Sequence, residues 1–151
     1  MAEAKPSLSR FEGCVLGLAV GDALGMPVEL RSAQDVKKRY GRITEMMDGP
    51  RLKAGQFTDD TIMSVITMES ILAQKRVDPD DLGRRFLAWH EGGDLRGIGG
   101  TTRQALLALK YGKTWRESGL KSKFAAGNGT AMRSAPLGLF RWNNLEALRA
   151  D

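Results

Sequence analysis

The chain has 151 residues, 42% of them hydrophobic and 27% charged, with a net charge of +5. That is ordinary for one soluble domain with a core of its own. The single cysteine, Cys14, and single histidine, His90, exclude an intramolecular disulfide, a cysteine-cluster zinc site and a histidine-rich metal site.

The basic surplus suits an anionic partner such as a phosphate-bearing ligand, but the basic residues are scattered. Only "KKRYGR" at 37–42 is clustered, and it reads as a solvated helix end, so nucleic acid is not expected as a partner. Cys14 lies in the apolar run "CVLGLAV" and is expected to be a buried small hydrophobe, in a reducing, cytoplasmic setting. Lys5 and Arg10 ahead of that run give it the outline of a signal peptide, but Glu12 and Asp22 interrupt the pattern. No run reaches the roughly 18 apolar residues of a membrane span, so no membrane is expected either.

Helical periods dominate and alternating β-branched runs are absent, so the expected fold class is all-α. The first predicted helix covers Phe11 to Leu24, with Gly13, Gly17, Gly21 and Gly25 along one face. Each glycine costs about 1 kcal/mol against alanine in a helix interior, so a helix or a ligand is expected against that bare backbone. Ser32 and Asp35 form a variant capping box for a second helix, which Gly41 can end. Residues 41–57 read as loop. The next helix runs from Thr58 to about Lys75. Its apolar residues nearly encircle it, which predicts a central, buried element. Asp78 with Pro79 starts another. "EGGDLRGIGG" is a glycine-rich loop, and Thr101 or Thr102 is expected to cap the helix that follows, with Gly112 closing it. "TWRE" offers a capping box, "AAGNGT" is a second glycine loop, Pro136 is expected to kink the following helix, and Asn143 or Asn144 caps a last one. That last helix runs for only about seven residues against a mean of roughly 11 to 12, so the chain is expected to stop inside an element.

Two stretches carry candidate chemistry. Thr58, Asp59 and Asp60 sit where an apolar helix starts. A cap and the helix dipole explain a hydroxyl and an acid there. Two carboxylates at a buried helix start also repel and need a cation, and carboxylate and hydroxyl oxygens are the hard ligands preferred by Mg²⁺, Mn²⁺ or Ca²⁺. Asp22 and Glu29 in "GDALGMPVE" could join them in an acidic site. The loops "GIGG" and "GNGT" each precede a helix, where backbone N–H groups can approach an anion. Neither is a dinucleotide-binding or P-loop motif, and each also reads as a plain turn.

Three blocks in this order and spacing, "GCVLGLAVGDALGMPVE", "GQFTDDTIM" and "GNGTAMRSAPLG", resemble the N-terminal half of the ADP-ribosylglycohydrolases, the family that includes the dinitrogenase reductase-activating glycohydrolases. The resemblance covers residues 11 to 142. It implies an all-α helical fold with a binuclear Mg²⁺ or Mn²⁺ centre. The implied reaction is hydrolysis of the glycosidic bond joining ADP-ribose to a protein side chain or small group. By resemblance Thr58, Asp59 and Asp60 are metal ligands. Glu29 is the acid beside the metals that acts on substrate or a bound water, and Asp59 and Asp60 serve catalysis with it. Gly127, Asn128 and Gly129 hold the diphosphate and ribose, and Gly99, Gly100 and Thr101 form another substrate-side loop. The implied partner is an ADP-ribosylated protein or a small ADP-ribose conjugate.

The family completes its metal site with a "DTDT"-like motif that this sequence lacks; its only acids after Asn128 are Glu146 and Asp151. Residues 1–151 are therefore expected to be a partial domain, cut short at the C-terminus and needing a C-terminal half. Apolar faces at Met63 and Ile66 are expected to be left open. The alternatives are a non-catalytic ADP-ribose-binding protein and an inactive truncated fragment.

Overall fold

Side-chain capping starts four of the eight α-helices among the described residues. The structure is a computed structural model that describes residues 6–123, 125 and 127–151; Lys5 and Ala126 lie outside them. In chain order the helices are α1 (Leu8–Gly25), a 3₁₀ turn (Met26–Val28), α2 (Ala33–Tyr40), α3 (Asp59–Gln74), α4 (Pro79–Gly92), α5 (Gly100–Lys110) and α6 (Trp115–Ser118). A second 3₁₀ turn (Ala131–Arg133), α7 (Ala135–Phe140) and α8 (Leu145–Ala150) follow. No strand occurs among the described residues, so the expected all-α class stands.

Ser32 accepts from Asp35 N at the start of α2, and Asp78 accepts from Asp80 N and Asp81 N at the start of α4. Thr114 and Glu117 form the capping box of α6, and Asn144 accepts from Ala147 N to start α8. Two starts differ from expectation. Gly99, not Thr101 or Thr102, is the N-cap of α5, and no side chain caps it. Pro136 lies in the first turn of α7, where its missing N–H costs nothing, so it begins a helix and does not kink one.

α3 is the central element, touching α1, α4, α7 and the Ala131–Arg133 turn. It is not apolar all round in the way its composition suggests. Its buried side is largely small and polar: Thr61, Ser64, Thr67 and Ser70 are buried, while Val65 and Leu72 are exposed. The hydroxyls of Ser64 and Thr67 donate back to the carbonyls of Asp60 and Met63, each at 2.7 Å. That satisfies them within the helix and lets neighbouring elements approach closely. The apolar core is Met63, Phe86 and Leu106, with Ile66, Leu82, Trp89 and Met132 packed against it. Burial of each of those three contributes about 1.5–3 kcal/mol. Met63 is thus fully buried and Ile66 partly so, contrary to the expected open face.

The open apolar surface lies instead on α1. Leu8, Leu16 and Val20 are exposed, and so are Cys14, Gly13, Gly17, Gly21 and Gly25. Nothing described lies within 4 Å of a side chain placed at those glycines. Cys14 is therefore not buried, because α1 packs through one narrow side only. Next to it, α1, α3 and α7 frame an apolar groove of about 780 Å³ lined by Phe11, Leu16, Leu72, Leu139 and Trp142 among others. The stretch Leu8–Val28, with mean hydropathy 1.4, is also long and apolar enough to cross a membrane by length and composition. That corrects the expectation that no such stretch exists. The leucines, valines and alanines of that stretch outweigh Glu12 and Asp22 in the average.

Candidate functional site

The acidic end of α3 is assembled from three parts of the chain. Thr58 is the N-cap by backbone position but not by side chain. Its hydroxyl donates to Asp22 Oδ1 at 2.7 Å, and its N–H donates to Asp22 Oδ2 at 2.8 Å. Thr61 N and Thr61 Oγ1 also donate to Oδ2, at 3.1 and 2.6 Å. Asp22, on α1 and 39 residues from Thr61 in sequence, thus caps α3 from a neighbouring helix. An acid near the C-terminal end of α1 opposes that helix's dipole, and these donors offset the mismatch.

With its start capped by Asp22, α3 carries Asp59, which is buried, and Asp60, which is half-buried. Burial pushes the Asp59 carboxyl up to about 6, helped by the charges of Asp60, Glu29 and Asp22. Burial and the charges of Asp22 and Glu29 also push Asp60 upward. Glu29 ends the Met26–Val28 turn and is exposed. The chain then bends sharply through Leu30, a non-glycine residue at φ 62 whose side chain is fully exposed. That conformation costs roughly 1–2 kcal/mol. Four carboxylates therefore share one electrostatic field. Among the described residues, though, no three acids, histidines or cysteines converge closely enough to form a closed metal cage.

The glycine loops meet this end in a way the sequence did not reveal. Gly97 (φ 80) lies directly against the start of α3: a Cβ there would collide with Asp59 Oδ1 and Thr58 Cβ. Only glycine combines that conformation with that approach. Gly97 leads within one turn to α5, whose uncapped N-terminus begins at Gly99 and Gly100. The second loop then packs on α5. A Cβ at Gly127 would sit 3.2 Å from Thr101 Oγ1, and one at Gly129 would sit 3.2 Å from Thr102 Oγ1. Asn128 is exposed, and its carbonyl accepts from Met132 N at 3.0 Å, turning the chain into the Ala131–Arg133 helix. Thr101, Thr102, Gly127, Gly129, Thr130 and Arg133 are among the residues lining a cavity of about 540 Å³. The Arg133 guanidinium lies 4.8 Å from the centre of the Phe86 ring and donates to Met63 Sδ at 3.8 Å, and burial holds it below its ordinary value.

The structure thus bonds Asp22 to Thr58 and Thr61, leaves Asp59, Asp60 and Glu29 within one electrostatic field, and separately sets Gly127 against Thr101 and Gly129 against Thr102 on the helix that Gly99 and Gly100 begin. The acids do not line the cavity; Gly97 links the two groups. Gly97 and Arg133 were missed by the sequence reading. The one signal for Gly97 was a glycine-dense loop, which does not say which glycine is needed.

The ADP-ribosylglycohydrolase family profile matches residues 3–150, and the chain belongs to that family. It is 40% identical to an uncharacterised protein of Archaeoglobus fulgidus over 86% of this chain and 42% of that protein. It is 37% identical to the ADP-ribosyl-[dinitrogen reductase] glycohydrolase of Rhodospirillum rubrum, over 86% of this chain and 44% of that enzyme. With an ADP-ribosylarginine hydrolase of Serratia proteamaculans it shares 32% identity over 96% of this chain and 40% of the relative. A solved structure, an ADP-ribosylglycohydrolase-related protein complex, superposes with a TM-score of 0.71 at 36% identity, over 91% of this chain and 44% of that one. The chain spans about two fifths of the length of the curated relatives it matches.

Proposed function

We propose that this chain contributes the acidic and diphosphate-binding parts of a site that hydrolyses the glycosidic bond between ADP-ribose and a protein side chain or small group. Two relatives are named for ADP-ribosylarginine and ADP-ribosylated dinitrogen reductase, so an arginine-linked conjugate is the first substrate to test. The observation that carries the reading is the meeting of Gly97 with Asp59. It sets the carboxylates of α3 beside the loops that end in the bare N-terminus of α5.

The donor set suits a hard divalent ion. It offers carboxylates and a hydroxyl, and like charges in a buried place leave the Asp59 carboxyl reluctant to ionise without a cation. Thr58, Asp59 and Asp60 would hold Mg²⁺ or Mn²⁺, and the bound ion would orient a water and the ribose hydroxyls at the anomeric carbon. Glu29, exposed and within the same field, would accept a proton from that water. The N–H groups at the start of α5 and the backbone of Gly127 and Gly129 would face the diphosphate. Gly127 and Gly129 have ordinary φ values, so their part is close approach and not an unusual backbone angle.

A second reading is ADP-ribose binding without turnover by this chain alone, which the open donor set suits, since no three acids converge among the described residues. Calorimetric titration with ADP-ribose, with and without Mn²⁺, separates the two. The hydrolase reading expects metal-dependent affinity, and release of ADP-ribose from an arginine conjugate once the remainder of a relative is supplied in trans. Metal-independent affinity with no release supports the binder. Gly129→Val should weaken ADP-ribose binding about tenfold or more by blocking the backbone; unchanged affinity in a folded variant would leave the loop as a turn.

A further inference from the structure

Both oxygens of Asp22 are occupied. Oδ1 accepts from the Thr58 hydroxyl at 2.7 Å, and Oδ2 accepts from Thr58 N, Thr61 N and Thr61 Oγ1 at 2.8, 3.1 and 2.6 Å. Three donors on Oδ2 leave it little capacity for anything else. Asp22 is therefore poorly suited to be a ligand itself, although its charge is felt by Asp59 and Asp60.

Its effect on Thr58 is specific. A hydroxyl has one proton to donate and two lone pairs to offer. The Thr58 proton is committed to Asp22 Oδ1, so the lone pairs of that oxygen are free to accept. The same carboxylate holds the N–H groups of Thr58 and Thr61, which fixes the first turn of α3 on which Asp59 and Asp60 sit.

We propose that Asp22 is a positioning residue. By holding the Thr58 proton and the first turn of α3, it presents the Thr58 oxygen and the Asp59 and Asp60 carboxylates together to a hard divalent cation. The inference rests on the metal reading given under Proposed function and adds a residue to it. Carboxylates that orient a ligand through a hydrogen bond change metal affinity by about 10–100-fold when removed. A carboxylate that only caps a helix changes stability and nothing else.

The test uses the 151-residue chain, with Mn²⁺ binding followed by electron paramagnetic resonance and stability by thermal unfolding. Asp22→Asn keeps the shape but turns an NH₂ toward groups that are themselves donors. Ser70→Ala is the control. It removes a fully buried hydroxyl bonded to Asp81 at 2.7 Å, so it weakens α3 without touching Asp22. Both variants should melt earlier, and only Asp22→Asn should lose Mn²⁺ affinity, by tenfold or more. Equal Mn²⁺ affinity in wild type and Asp22→Asn overturns the positioning role and leaves a cap. An equal loss of affinity in Ser70→Ala overturns it too, because affinity would then track stability. Thr58→Val, isosteric without the hydroxyl, is a second route if Asp22→Asn folds poorly; full Mn²⁺ affinity there sinks the proposal. Failure of the wild-type chain to bind Mn²⁺ at all overturns the metal reading itself, and the positioning role with it.

Discussion

Asp59 and Asp81 are buried to the same degree, each 6% exposed, and each lies in the first turn of a helix. Their surroundings differ completely. Asp81 accepts from Ser70 Oγ at 2.7 Å, from Arg85 Nε at 2.6 Å and from Arg84 Nη2 at 3.0 Å. The Ser70 bond first, and the two guanidinium groups with it, hold its carboxyl down at about 2. Asp59 meets burial and three further carboxylates, and its carboxyl rises to about 6. Burial pushes both carboxyls up and is the leading cause at Asp59, whereas at Asp81 the Ser70 and arginine bonds outweigh it and reverse the sign. Asp81 is a finished structural joint between α3 and α4. Asp59 is instead crowded by like charge, the feature on which the proposed cation site rests.

The sharpest way to break this contrast is Asp81→Ala. It strips a fully buried serine and two arginines of their acceptor, and should destabilise the chain by about 2–3 kcal/mol in urea unfolding. A loss below 0.5 kcal/mol, about what surface substitutions give, would mean that the Arg84 and Arg85 contacts are solvated and idle. Gly97→Ala comes next. It puts a methyl group against Asp59 in a left-handed backbone, at a cost of roughly 1–2 kcal/mol by thermal unfolding, together with weaker Mn²⁺ binding. Wild-type behaviour in both measurements would remove Gly97 from the site.

Asp59→Asn should act in the opposite direction from Asp81→Ala. Without metal it removes a crowded charge and should stabilise the chain at pH 7, by no more than about 1 kcal/mol once solvent screening is allowed for. In the same variant Mn²⁺ affinity should fall. A destabilised metal-free Asp59→Asn would contradict the picture of repulsion.

The smallest effect is the shape of the pH profile. Asp59 titrates higher folded than unfolded, so its contribution to stability is complete below about pH 3.8 and is lost as pH rises through about 6. Asp81 titrates lower folded than unfolded, so its contribution is present above about pH 3.8 and is lost as pH falls through about 2. Melting temperatures between pH 2 and 7 should therefore fall at both ends. Asp59→Asn should flatten the upper fall and Asp81→Asn the lower one.

Local features were legible in the sequence because each is complete within a few residues. Ser32 with Asp35, Asp78 with Pro79, Thr114 with Glu117 and Asn144 with Ala147 all close within one turn. The resemblance to the family was equally legible, since it rests on contiguous blocks. What the sequence could not show was which distant groups meet. Thr58 looked like a cap, yet its hydroxyl donates to Asp22, which lies on another helix. The hint was present: an acid near the end of an apolar helix has no local reason to be there. Cys14 looked buried because its neighbours are apolar, yet packing chose a different side of α1. Thr101 and Thr102 looked like caps, yet their hydroxyls face the second glycine loop.

The separation between Asp22 and its partners also sets an order of assembly. Ser70 and Asp81 are 11 residues apart, whereas Asp22 lies 36 residues from Thr58 and 39 from Thr61. Closing the longer loops costs more chain entropy, by an amount that grows with the logarithm of length. The α3–α4 hairpin can therefore form first, from contacts near in sequence. The first turn of α3 keeps four donors without their protein acceptor until α1 arrives, so the acidic end closes after the α3–α4 hairpin.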